Sequence, residues 1–210
     1  MTKSMMYSYL TGIFCVLIII SNILATKTLK IGLIMLPCSI LVFPILFIIN
    51  DILSEIYGFA MTRNVIFLGF VLNIIAVVLF SIAIMLPSNS PSADAFATIL
   101  GTTPRLFIAG LLSYLISNMI NSQIMVKLKE KYYNLLFVRC ITSTAVGETI
   151  DSVVFITTAF YGVFSTELII TMICCQAVFK VLYEFIIYPF TRYIIHYIRE
   201  LDDGELENMI

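Results

Sequence analysis

The sequence predicts an all-α polytopic membrane protein with six transmembrane helices, and three observations predict it. Apolar residues fill 60% of the 210 positions and mean hydropathy is +1.05, well outside the soluble range. These residues fall in runs of about 20, the length at which a helix crosses a hydrocarbon core of roughly 30 Å. Short polar stretches separate the runs, as connections at the two water interfaces should.

Tyr7 to Ala25 is the first span. It is too long and too poorly flanked for a cleaved leader, and its closing Ser21 and Asn22 need partners other than lipid. Thr26 to Lys30 is a short polar connection. Pro37 to Tyr57 is the second span, with an interior Pro44 that should kink it. It closes on Asn50, Asp51, Ser54, Glu55 and Tyr57 before a terminating Gly58.

Arg63 to Leu86 is the third span, nearly pure hydrocarbon apart from Asn73, and should face lipid. Pro87 to Thr103 is the longest loop, with Ala93 to Leu100 as a short interfacial helix. Pro104 to Val126 is the fourth span, with Pro104 suited to a first turn. Its second half collects Ser113, Ser117, Asn118, Asn121, Ser122 and Gln123. A water-side loop follows with Lys127, Lys129, Glu130 and Lys131.

Val138 to Phe164 is the fifth span and the most informative, because it carries Arg139, Glu148 and Asp151. A charge at the centre of a span costs about 2.5 to 3.5 kcal/mol even on lenient insertion scales, so such residues mark function or a specific pairing. Glu148 and Asp151 share a helix face with Thr144, and Gly147 and Ala145 beside them allow close approach to the backbone. Leu168 to Ile198 is the sixth span, expected to break or bend near Pro189. It sets Gln176, Lys180 and Glu184 on one face at spacings of four.

Residues 1–198 therefore form one transmembrane domain and residues 199–210 an acidic tail with Glu200, Asp202, Asp203, Glu205 and Glu207. With the amino terminus inside, eight basic residues (Lys3, Arg63, Lys127, Lys129, Lys131, Arg139, Arg192, Arg199) lie inward against Lys27, Lys30 and Arg105 outward. Both termini are thus expected in the cytoplasm, in a multi-pass protein of the cell (inner) membrane. Asp51 and Glu55 hold the same ordinal place in spans one to three as Glu148 and Asp151 hold in spans four to six. That match suggests two inverted three-helix halves.

The intramembrane ionisable set is Asp51, Glu55, Glu148, Asp151, Lys180 and Glu184, with Arg139 at its edge. Lys180 could pair internally with Glu184 or with a carboxylate of the fifth span, and Asp51 or Glu55 could cap a helix or pair with Arg63. Five carboxylates still outnumber one lysine, so the surplus must be protonated, hydrated or matched by a ligand. The polar group of the fourth span could equally be glue between helices.

An intramembrane hydrolase is not expected, since His196 is the sole histidine, lies near the end of the last span where an interfacial role suits it, and neither HExxH nor GxSxG occurs. No Walker A sequence, metal-ligand spacing or cofactor motif is present, the five cysteines read as small apolar residues, and a net charge of -1 gives no nucleic-acid surface.

Asn50-Asp51-Ile52-Leu53-Ser54-Glu55-Ile56-Tyr57-Gly58, the earlier Ser21-Asn22-Ile23-Leu24-Ala25-Thr26-Lys27, Gly147-Glu148-Thr149-Ile150-Asp151-Ser152, and Lys180 through Pro189 together resemble the YhhQ or VUT family of six-span queuosine-precursor transporters. The resemblance runs from about Ser21 to Tyr193 and implies uptake of a 7-deazaguanine base: the 7-cyano base, the aminomethyl base or queuine. The family's older label of vitamin uptake implies an alternative, a vitamin-binding subunit of an energy-coupling-factor importer. For a guanine-like ligand, Glu148 or Asp151 would accept from the ring N–H and exocyclic amine. Asn22, Asn118 or Gln123 would meet the carbonyl and ring acceptors, with Lys180 and Tyr183 also in the binding set. Tyr57, Phe155, Tyr161 or Tyr183 would stack on the ring. Asp51, Glu55, Glu184 and Arg139 would serve ion or proton coupling or gating, with Asp151 or Glu184 carrying the proton if uptake is proton-coupled; the competing account is facilitated diffusion followed by trapping of the base in tRNA. A homo-oligomer is compatible with all of this.

Overall fold

The computed structural model describes residues 2–31, 34–101 and 104–201. Asp202, Asp203, Glu205 and Glu207 of the acidic tail lie outside them. Six helices follow in order: α1 (Lys3–Ala25), α2 (Phe43–Met85), α3 (Ala93–Leu100), α4 (Pro104–Lys131), α5 (Leu136–Phe160) and α6 (Thr166–Arg199). A short antiparallel hairpin, β1 (Thr28–Ile31) and β2 (Ile34–Pro37), joins α1 to a 3-10 turn at Cys38–Leu41. The connection expected to be a few polar residues is thus a small ladder, closed at its base by the Cys38 N–H donating to the Lys27 carbonyl at 2.8 Å.

Several boundaries depart from the sequence reading, among them the end of α4, which runs on through Lys131, so the loop expected at Lys127 to Lys131 is helical. The second helix starts at Phe43, so Pro44 stands in its first turn and produces no interior kink; there its missing N–H costs nothing. α5 ends at Phe160, short of Phe164. α6 continues through Pro189 as one helix, without the expected break.

The largest departure is α2. At 43 residues it is about 65 Å of helix, roughly twice the hydrocarbon thickness, and at Gly58 the backbone takes φ 77° and ψ 174°. That positive φ suits glycine alone. Residues 43–57 begin beside the far end of α1, at the Cys38–Lys27 bond, and finish where the Tyr57 hydroxyl donates to the Lys3 carbonyl at 2.8 Å. Residues 59–85 then run alongside α1 in its own direction. The Tyr7 hydroxyl donates to the Met61 carbonyl at 3.1 Å, and further along Asn22 Nδ2 donates to Asn73 Oδ1 at 2.6 Å. The chain therefore reverses at a single glycine.

Among the described residues three helices are, by length and composition, apolar enough to cross a membrane: α1, α2 and α6. A fourth is added if α3 and α4 are one broken span. The polar faces of α4 and α5 keep those helices below that measure.

Residues 46–55 are buried without exception, which places the first half of α2 inside the bundle, with α1, α4 and α6 packed on α2 and side chains of α5 reaching its carboxylates. Its second half buries Met61, Val65, Ile66, Gly69 and Asn73 and exposes Phe67, Val71, Val78 and Leu79. That split agrees with a lipid-facing third segment. Gly69 lets α4 dock closely, since a Cβ there would lie 2.6 Å from the Tyr114 hydroxyl, which donates to the Ile66 carbonyl at 2.9 Å.

Candidate functional site

Periodicity builds a polar column through the bundle. α5 buries Arg139, Ser143, Thr144, Gly147, Glu148 and Asp151 at steps of three and four, and α6 buries Gln176, Lys180, Glu184 and Thr191. Residues 43–57 contribute Asn50, Asp51, Ser54 and Glu55, and α4 contributes Ser117, Asn118, Asn121 and Ser122. These four faces meet along one line. α4 and α5 approach tightly because Gly147 has no side chain: a Cβ there would lie 2.9 Å from Phe47 Cε1 and 3.0 Å from Asn121 Cβ.

At one level Lys180 bridges the carboxylates of α5. Its Nζ donates to Asp151 Oδ2 at 2.7 Å and stands 2.6 Å from Glu148 Oε2, outside hydrogen-bonding angle. The Ser117 hydroxyl lies 3.5 Å from Asp151 Oδ1, and the Lys180 ammonium sits 5.1 Å from the centre of the Phe43 ring. All three ionisable groups are at most 3% exposed.

The middle level holds Asp51. Its carboxylate accepts from Asn121 Nδ2 at 2.8 Å, Thr144 Oγ1 at 3.3 Å and Ser143 Oγ at 3.5 Å, and pairs with none of the column's cations. Asn50 donates to the Asn118 carbonyl at 3.0 Å. Glu184 is buried here, within electrostatic reach of Asp51 and Glu148, and neither of its oxygens has a hydrogen-bond partner.

At the third level Glu55 is held by three cations from three helix ends. Arg139 grips both carboxylate oxygens, Arg199 reaches Oε1, and Lys129 stands 3.6 Å from Oε1 while donating to the Glu55 carbonyl. Arg139 also donates to the Tyr133 carbonyl at 3.2 Å. Beside them Ser54 and Ser122 share a 2.8 Å hydrogen bond. Arg63, considered as a partner for Asp51 or Glu55, lies instead over the Phe59 ring.

The predicted set divides accordingly. Glu148, Asp151, Lys180, Asp51, Glu184, Asn118, Glu55 and Arg139 all enter the column. Asn22 does not: it bonds Asn73 between α1 and α2. Gln123 is exposed on the outer side of α4. Tyr183 is half-buried against the apolar core. Of the proposed stacking rings, Tyr57 is committed to the Lys3 carbonyl, Tyr161 is 71% exposed, and Phe155 packs edge-on against Phe160. His196 is exposed and pairs with Glu200 at 3.2 Å.

Phe43, Lys129 and Arg199 were missed as members of the column. Only Phe43 had a local signal, an aromatic ring at the head of the acid-bearing segment. Among the described residues no group of three or more His, Cys, Asp or Glu side chains is arranged to hold a metal.

The buried atoms without hydrogen-bond partners fix the chemistry this column favours. Asn50 Oδ1, Asn118 Oδ1, Asn121 Oδ1, both Glu148 oxygens and both Glu184 oxygens are acceptors, against Arg139 Nε as a donor, with the Ser152 and Thr191 hydroxyls able to act either way. Unmatched buried acceptors call for a ligand rich in donors, or for positive charge.

A helical bundle that buries such a column where lipid would surround it is the architecture of a polytopic membrane transporter. Residues 37–194 match the family described as "Putative vitamin uptake transporter", and the chain belongs to that family. A relative from Bacillus subtilis (strain 168), described as "Probable queuosine precursor transporter", is 29% identical over 126 residues, covering 58% of this chain. The match spans 55% of that relative's length. No solved structure matches.

Proposed function

We propose that this chain imports a queuosine precursor, a 7-deazaguanine base, across the cell (inner) membrane. The observation that carries the reading is the surplus of buried acceptors around Glu148, Asp151 and Lys180. The base offers a ring N–H and an exocyclic amine side by side, and one carboxylate accepts both. Glu148 has the free oxygen for that role, while Lys180 keeps Asp151 and the Asn118 amide lies within the same column. Phe43, already beside the Lys180 ammonium, offers a stacking surface. Because these groups are closed off from solvent, the base enters only when the helices around them part.

Six passes are part of the same reading. Residues 43–57 and 59–85 would cross separately about Gly58, and both termini would lie in the cytoplasm, as the distribution of Lys and Arg favours. Uptake would be coupled to protons, since at the upper and middle levels Glu148, Asp151, Asp51 and Glu184 outnumber Lys180. The alternative, a vitamin-binding subunit working with a separate ATPase, is less favoured, because the relative's description names a precursor transporter.

Complementation tests the function. Cells unable to make the base should regain queuosine in tRNA from an external supply only when this chain is expressed. Supplying the cyano base, the aminomethyl base and queuine separately identifies the cargo. Glu148→Gln should weaken base binding by about 10- to 100-fold, the loss of a hydrogen bond to a charged group, while Asn22→Ala and Gln123→Ala leave it unchanged. Failure of all three bases to restore the modification refutes the import reading.

A further inference from the structure

We propose that Glu184 carries the coupling proton, at a site distinct from the base-binding carboxylates and beside Asp51. The inference rests on the import reading for its role in transport, and on geometry for the site itself. From the sequence, Asp151 or Glu184 could carry the proton. The structure separates them: Asp151 is neutralised by Lys180 at 2.7 Å and meets Ser117, whereas Glu184 is 1% exposed and neither of its oxygens receives a hydrogen bond.

A buried carboxylate that nothing donates to is tolerated as the neutral acid, which needs only an acceptor for its O–H. Asp51, in contrast, accepts hydrogen bonds from Asn121 and Thr144, with the Ser143 hydroxyl at 3.5 Å, so donors surround its carboxylate where none reaches that of Glu184. The groups that face Glu184 are Asp51 from α2 and Glu148 and Cys140 from α5. Lys180 lies one turn away on its own helix, engaged with Glu148 and Asp151. α4 contributes the neutral Asn121, which donates to Asp51, and Asn118, each with an unpartnered amide oxygen in the same column.

In the cycle a proton taken from water on one side forms an O–H bond on a Glu184 oxygen, crosses with the base, and returns to water on the other side. No other bond is made or broken.

Two measurements on the purified protein in lipid test this. The infrared spectrum at neutral pH should contain the C=O stretch of a protonated carboxyl, moved by exchange into D2O, absent in Glu184→Gln and retained in Glu148→Gln. Absence of the band from the unaltered protein, or its survival in Glu184→Gln, overturns the proposal. If Glu184→Gln does not reach the membrane, Glu184→Asp must shift the band, and an unshifted band has the same overturning force.

In proteoliposomes, an imposed inward proton gradient should drive labelled 7-cyano-7-deazaguanine, or whichever base complements, above its external concentration. Glu184→Gln should exchange the base across the membrane yet fail to accumulate it. Accumulation by Glu184→Gln at the unaltered rate, or exchange by the unaltered protein that ignores the gradient, removes the proton role and leaves the import reading standing. If the unaltered protein neither binds nor exchanges any base, the import reading falls, and the infrared result alone then decides whether Glu184 holds a proton.

Discussion

Glu55→Gln removes the one carboxylate that three cations share, and its consequence follows from how differently those cations are placed. Arg139 is wholly buried, gives two guanidinium nitrogens to Glu55, and already has an unpartnered Nε. Breaking a buried ion pair from one side costs about 3 to 5 kcal/mol, because the remaining charge stays in the interior unpaired. Lys129 and Arg199 have side chains 31% and 41% exposed, so solvent screens them and each pair is worth about 0 to 1 kcal/mol. Glu55→Gln should therefore lower stability by about 3 to 5 kcal/mol, and Lys129→Ala or Arg199→Ala by less than about 1 kcal/mol. For a chain of this size the larger loss corresponds to a fall of about 6 to 20 °C in Tm. Replacing both partners, Glu55→Leu with Arg139→Met, takes the stranded charge away and should cost less than Glu55→Gln alone. The chain has no tryptophan, but Cys15 and Cys140 are buried and Cys174 is exposed. A thiol-reactive dye in detergent thus reports unfolding as a rise above the Cys174 signal. A Glu55→Gln protein melting within about 2 °C of the unaltered one, a shift worth under roughly 1 kcal/mol, would refute the reasoning. So would a double variant less stable than the single one.

Gly147→Ala tests the closeness of α4 and α5. Its Cβ would sit 2.9 Å from Phe47 Cε1 and 3.0 Å from Asn121 Cβ, and overpacking of this kind costs about 1 to 3 kcal/mol. The same dye assay should show the lowered Tm, and an unchanged Tm would mean that the two helices separate without cost. Reporter fusions placed after residue 199 and within residues 87–101 should report opposite sides of the membrane, and equal signals would remove the six-pass topology.

The helical faces of the column were legible in the sequence because they need only the 3.6-residue period. Asp51 and Glu55, Glu148 and Asp151, and Lys180 and Glu184 each fall on one face whatever the tertiary fold. The same period separates Gln123 from Asn118, Asn121 and Ser122, although which of the two faces turns inward is settled only by packing. The reversal at Gly58 was not legible. A polar helix end followed by glycine reads as an ordinary C-terminal cap, and nothing marks that the next helix starts one residue later and turns back along α1. Pro44 misled for a related reason: an apolar run gives no sign of where its helix starts, so a first-turn proline and an interior one look alike.

The charge count was the least legible part, because charges near span ends read as solvated. Lys129 and Arg199 belong to a water-side loop and a helix terminus by sequence, yet both reach inward to Glu55 on long flexible stems. With Arg139 they give that level three cations for one carboxylate. The uneven count of five carboxylates against one lysine therefore does not describe the whole column. It describes Asp51, Glu184, Glu148 and Asp151, where Lys180 alone is positive and is already divided between two partners. The deficit is thus confined to the levels away from Glu55. A cationic or donor-rich species gains most there, while at the Glu55 end the surplus positive charge works against it. Under the proposed import reading that asymmetry would give the column a direction, with the Glu55 end a barrier to a coupling proton or a donor-rich base until its three cations separate.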